Sequence, residues 1–205
     1  HGTSHALFCA PIPFYQNIRK DLIGLHLKKQ LLHLYLLEIF GSLSLTDGIW
    51  IIFLIQRGFS LVEVGLAETA FHIASFFFEI PSGAIADLFG RKKAMIASYL
   101  CMILSAVLTV AAWNLPSLCL AMVFTAFSYN LNSGTRLTYD SLKAGGEEER
   151  YLSVNSNQRF LCSAAVSLSK LTTGIAGRIG YILSYGCNVV FCGISILLIG
   201  GIKEP

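Results

Sequence analysis

Charge is scarce in this chain. Asp, Glu, Lys and Arg make up 13% of its 205 residues, where an average soluble domain carries roughly 25%. With 54% hydrophobic residues and a mean hydropathy of +0.63, that shortfall argues against a soluble enzyme, a disordered linker and a nucleic-acid-binding domain. The chain also lacks HExxH, GxSG, a paired CxxC and a phosphate-cradling loop, so nothing points to a hydrolase, an ATPase, a metal site or a cofactor. The six cysteines, Cys9, Cys101, Cys119, Cys162, Cys187 and Cys192, have no metal-ligand spacing, and five lie in apolar runs. They read as small packing residues, since a disulfide framework belongs to short secreted domains. No methionine precedes Met95, and residues 1–14 show neither periodicity nor a secretory signal pattern. The expectation is that the native start is missing or that the first residues are not native coding sequence.

What the chain does have is long apolar runs. They cover about residues 31–55, 61–86, 94–113, 117–142, 157–176 and 182–202. Each is long enough to cross about 30 Å of hydrocarbon as a helix. The expected fold is therefore all-α: a polytopic bundle of six transmembrane helices over 31–205, after a non-membrane segment 1–30 that is partly non-native or disordered. Pro116, after Asn114, suits the first turn of a helix. Lys and Arg between the runs set the orientation. One set of loops and ends holds Arg19, Lys20, Lys28, Lys29, Arg91, Lys92, Lys93, Lys143, Arg150 and Lys203, ten residues against Arg57 and Arg178 on the other side. Both termini are expected in the cytoplasm.

Ionisable side chains at membrane depth are costly, so each is a functional candidate. In the second run Glu68, His72, Ser75 and Glu79 stand at i, i+4, i+7 and i+11, a single stripe at 100° per residue. That stripe is expected to face protein or an aqueous cavity, with Phe76, Phe77 and Phe78 spread around the rest of the helix. It serves either as hydrogen-bonded packing or as a water-accessible pathway in which His72 carries protons. Glu38 and Asp47 of the first run are nine residues apart, on opposite faces of an unbroken helix. They line one cavity only if that helix bends, which Gly48 allows. Lys170, deep in the fifth run, calls for a carboxylate partner.

The strongest local signal is Gly83-Ala84-Ile85-Ala86-Asp87-Leu88-Phe89-Gly90-Arg91-Lys92-Lys93. Asp87 sits at a helix C-terminus, where a carboxylate is unfavourable alone. It needs a cation, with Arg91 nearby, or the N-terminus of another helix. Gly83 allows close approach of a neighbouring helix, and Gly90 allows a sharp reversal.

This segment resembles the hallmark loop of the major facilitator superfamily, G-x-x-x-D-(R/K)-x-G-R-(R/K)-(R/K). Gly83, Asp87, Gly90, Arg91, Lys92 and Lys93 match it, and Leu88 departs. Glu79-Ile80-Pro81-Ser82-Gly83 is similar to a lead-in common in bacterial members. Ser133-Gly134-Thr135 and Tyr139-Asp140-Ser141-Leu142 are similar to the end of the fourth helix, and Glu204-Pro205 to the ending after the sixth. The resemblance implies the N-terminal half of a twelve-helix secondary transporter in a bacterial cytoplasmic membrane, moving a small solute by proton-coupled alternating access. Its partners would be the bilayer, a small-molecule substrate, and a missing C-terminal half or a second copy. It further implies that Asp87 engages a helix N-terminus of that second half and that Arg91 pairs with Asp140. The arginine motif of the family's fourth helix has no match here, nor has the proline–glycine motif of its fifth. That weakens drug–proton antiport. The rival expectation is a six-helix interaction or regulatory protein without transport of its own. An intramembrane enzyme ranks last, for want of a catalytic motif.

Overall fold

In a computed structural model the chain is described over residues 13–132 and 134–202, with side chains described for 27–132, 134, 136–171 and 180–202. Cys9, Ser133 and residues 203–205 lie outside these, as do the side chains of Arg19, Lys20, Thr135 and Arg178.

The regular structure among the described residues is helical: α1 (Pro13–Ser42), α2 (Trp50–Gln56), α3 (Leu61–Phe89), α4 (Arg91–Ala111), α5 (Leu115–Leu131), α6 (Gly134–Ala144), α7 (Tyr151–Ile179) and α8 (Tyr181–Gly200), with a 3-10 turn at Glu148–Arg150. Among the described residues α3, α4 and α8 are each long and apolar enough to cross a membrane. Large apolar side chains such as Phe76, Phe77, Ile80, Leu171 and Leu197 stand exposed on the outside of the bundle. In water that would be a liability, whereas lipid tails solvate them. The described residues form an all-α helix bundle consistent with a polytopic membrane protein.

Local chemistry explains the helix ends. Ser60 caps α3: its hydroxyl accepts from the Glu63 N–H at 3.3 Å, and the Glu63 carboxylate accepts from the Ser60 N–H at 2.9 Å. This reciprocal box satisfies two donors that the first turn leaves free. Asn114 and Ser117 do the same for α5, with Pro116 in its first turn. Gly90 joins α3 to α4 at φ +94°, a backbone angle that side chains resist.

Two of the expected runs are not single helices. The first is interrupted between Ser42 and Trp50, where Ser44, Thr46 and Asp47 offer side-chain hydrogen bonds that compete with the helical ladder. The interruption is held from outside. The Ser44 N–H donates to Ser169 Oγ of α7 at 3.0 Å, and the Leu45 N–H donates to Asn188 Oδ1 of α8 at 2.9 Å. The fourth run breaks between α5 and α6, where Asn132 Oδ1 accepts from the Gly134 N–H at 3.2 Å. Two helices start earlier than the apolar runs. α1 begins at Pro13, and α7 begins at Tyr151 rather than near Asn157. Lys170 is exposed on α7 and has no carboxylate within ion-pair distance among the described residues, so the partner expected for it is not found.

The helices pack in a chain of neighbours. α5 lies against both α3 and α4, α4 also lies against α8, and α1 packs on α8 and α7. Hydroxyls tie them. Ser98 donates to Ser128 O at 2.8 Å, and Ser105 donates to Ala121 O at 2.9 Å, both from α4 to α5. Asn130 Nδ2 donates to Ser75 O at 3.1 Å, from α5 to α3. Two apolar clusters occupy opposite ends of the bundle. One gathers Leu31, Leu34, Met95, Leu137 and Ile199. The other gathers Phe53, Leu54, Val64, Leu118 and Met122.

Candidate functional site: a carboxylate-lined cavity

Between the two apolar clusters lies a cavity of about 540 Å³, within the size range of small-molecule sites. The interrupted first run explains its shape. Because the backbone leaves its helical path after Ser42, Glu38 on α1 and Asp47 beyond it both reach the cavity, and Glu68 joins them from α3. The bend needed to bring Glu38 and Asp47 together is therefore present, as an outright break.

Each carboxyl has its own surroundings. Glu38 lies beside Cys162 of α7 and in the field of Arg159; the Ser42 hydroxyl donates to the same Cys162 Sγ at 3.0 Å. Asp47 Oδ1 accepts from Ser44 Oγ at 2.5 Å. Asn188 holds this turn, its Nδ2 donating to Thr46 Oγ1 at 2.6 Å. Glu68 stands 3.6 Å from Nε2 of His72, one turn along α3. Aromatic rings complete the wall: Trp50, Phe71, Tyr99, Tyr129 and Tyr185. Phe71 meets Tyr129 edge-on, centroids 5.9 Å apart. No Lys, Arg or His is among the described residues lining the cavity.

The α3 stripe does not act as one surface. Glu68 lines the cavity. Ser75 sits in the α3–α5 seam, accepting from Asn130 at 3.0 Å. His72, with 70% of its side chain exposed, and Glu79 lie on the outside of the bundle. The expectation that the whole stripe faces protein or a cavity fails for those two within this chain. The reason is the packing face. α3 meets α5 through Val64, Ala67, Ser82 and Ala86, which leaves the stripe at the flank. Of the three phenylalanines, Phe76 and Phe77 are exposed, while Phe78 packs on Phe127 with centroids 4.9 Å apart.

The α3–α4 junction forms a second polar site. Arg91, first residue of α4, forms an ion pair with Asp140 of α6 and donates to Arg136 O at 3.0 Å. Lys92 Nζ donates to Gly200 O at 3.0 Å and Ile202 O at 2.6 Å, placing a cation on carbonyls that the end of α8 leaves open. Asp87 and Lys93 are exposed and form no ion pair among the described residues, so Arg91 is not the partner of Asp87. A Cβ at Gly83 would meet no atom within 4 Å. The close helix approach expected at Gly83 is thus absent inside this chain.

Four polar participants were not singled out in the sequence: Asn130, Asn132, Ser169 and Asn188. Asparagine within an apolar run is a signal of the same kind as Glu68 or His72, and it would have found three of them.

Comparison with known proteins gives one relative. The chain is 27% identical over 158 residues to an uncharacterized MFS-type transporter, YxaM, of Bacillus subtilis (strain 168). The match takes in 77% of this chain and 37% of the relative, so the chain spans well under half of that protein's length. No family model matches, and no solved structure matches. A relative bearing a transporter's name agrees with the expectation of a non-enzymatic protein. The helices are consistent with an integral membrane protein, and the relative supports a general link to the major facilitator superfamily and no more.

Proposed function

We propose that this chain is the N-terminal six-helix unit of a secondary transporter, which moves a small solute across a bacterial cytoplasmic membrane by alternating access. The observation that carries the reading is the cavity between the two apolar clusters, lined by Glu38, Asp47 and Glu68. Acidic groups are expensive at membrane depth unless they serve a solute or proton path. α1 with α2, and α5 with α6, each count as one interrupted crossing, which with α3, α4, α7 and α8 makes six. Interrupted helices beside a mid-membrane site are a recurring feature of such carriers.

A second six-helix unit, on another part of a longer chain or in a second copy, covers the exposed flank of α3 in this reading. Apart from the contacts of His72 with Glu68 and Phe71, the side chains of His72, Glu79 and Asp87 have no partner there among the described residues, Gly83 meets no neighbouring helix, and the relative is far longer than the matched stretch. Asp87 then meets the positive N-terminal end of a helix in that unit. Glu68, His72 and Glu79 form a path for coupling protons at the seam, and Arg91–Asp140 ties α4 to α6 at the cytoplasmic end.

The test needs no knowledge of the solute. In a cysteine-free background of the full-length protein, Glu68→Cys is challenged with a membrane-impermeant maleimide from either face of the membrane. Alternating access gives labelling from both faces. Reaction from one face only, under every condition of gradient, overturns the proposal.

A further inference from the structure

We infer that the cavity takes an organic cation with an apolar or aromatic body. The inference deepens the transport reading and rests on it for the identity of the site, but its evidence is the charge and ring pattern of the wall. Three carboxyl side chains line the cavity, and no Lys, Arg or His is among its described lining residues. Two basic groups that act on these carboxyls stand outside the wall. Arg159 acts on Glu38 from α7, and His72 meets Glu68 from the outer flank of α3. Glu38 is half-buried beside Cys162, whereas Asp47 is exposed and Glu68 keeps 45% of its side chain exposed, so the last two are the groups best placed for a ligand.

The rings stand where a cation would need them. Tyr129 lies in the field of both Asp47 and Glu68, and Tyr185 in that of Asp47. Phe71 packs edge-on against Tyr129, and Trp50 completes the group on the Asp47 side. Ring faces attract cations and also accept an apolar body. An anion meets the carboxylates of Asp47, held by the Ser44 hydroxyl, and Glu68, 3.6 Å from His72, together with the negative faces of the rings, so the same wall disfavours it. A strongly hydrated inorganic cation gains little from rings and loses its water, whereas a weakly hydrated organic one gains from both features.

Tetraphenylphosphonium and tetraphenylborate share one shape and carry opposite charges, so they separate charge from size. Binding of each to the purified full-length protein is measured by equilibrium dialysis in nanodiscs of neutral lipid, with empty nanodiscs as the blank. The expected result is saturable binding of the phosphonium and none of the borate. Asp47→Asn and Glu68→Gln should each weaken the phosphonium by about tenfold, and Glu148→Gln, in an exposed loop, should not. Equal saturable binding of both ions overturns the inference, as does phosphonium binding that neither carboxamide changes. Binding of neither ion also overturns it. In all three cases two-sided labelling at position 68 would leave the transport reading standing, so the two failures are distinguishable. Should a carboxamide variant fail to fold, the ion pair on the wild-type protein still decides the matter.

Discussion

Gly41 shows how narrowly single residues are set in this bundle. A Cβ at that position would lie 2.2 Å from the hydroxyl of Tyr99, an overlap that displaces either the ring or α1. Gly41→Ala is therefore expected to lower the melting temperature in detergent, by an amount typical of overpacking, about 1–3 kcal/mol. The hydroxyl is the atom in the way; the next ring atom is 3.3 Å off. Gly41→Ala/Tyr99→Phe should accordingly melt above Gly41→Ala alone, and a double variant no more stable than the single would refute the assignment. His72 poses a different question, because it is exposed on the flank of α3 yet 3.6 Å from a cavity carboxylate. If it relays coupling protons, His72→Gln abolishes proton-driven accumulation of tetraphenylphosphonium in proteoliposomes and preserves its downhill exchange. Unchanged accumulation from pH 5.5 to 8 would reduce it to packing.

At the scale of elements, the decisive feature is the interruption between α1 and α2. Asn188 supports it by accepting from the Leu45 N–H and by donating to Ser44 Oγ and Thr46 Oγ1. Asn188→Leu leaves a part-buried backbone donor without its acceptor, at a cost of about 1–3 kcal/mol. A fall in melting temperature is expected, with loss of phosphonium binding because Asp47 is no longer held beside the cavity. Wild-type binding by a folded Asn188→Leu protein would show that the turn keeps its shape unaided. The same element marks the limit of what the sequence discloses. The helix start at Asn114 and the reversal at Gly90 were legible, because each depends on residues a few positions apart. The break was not. Its partners, Ser169 and Asn188, are 125 and 143 residues away from the backbone groups they meet, and hydropathy averages smoothly across residues 43–49. The cavity was half legible for the same reason. Glu38, Asp47 and Glu68 stood out as ionisable groups in apolar runs, but the side on which His72 and Glu79 lie depends on how α3 meets α5.

For the whole molecule, the charge asymmetry of the loops leads to a topology that can be checked directly. With both ends in the cytoplasm, Arg57→Cys should react with an impermeant maleimide added outside intact cells, and Glu148→Cys should not. Both positions are exposed, so silence at either site is not a matter of burial. Labelling at 148 from outside would invert the bundle, and with it the direction in which the Arg91–Asp140 end faces.

The hydroxyl bonds joining α4 to α5, and the Asn130 bond joining α5 to α3, have a mechanical consequence. Three helices fastened to one another's backbones resist shear, so they behave as a stiff plate on one side of the cavity. The turn between α1 and α2, held by the Ser169 and Asn188 side chains, is the compliant part of the wall. Compliance of this kind has a clock. Amide protons in the middle of α4 and α5 should exchange with deuterium only on global opening, while those of residues 43–49 exchange through small local excursions many times faster. The cavity would then breathe from one side, and a bound solute would slow exchange at the turn far more than in the plate.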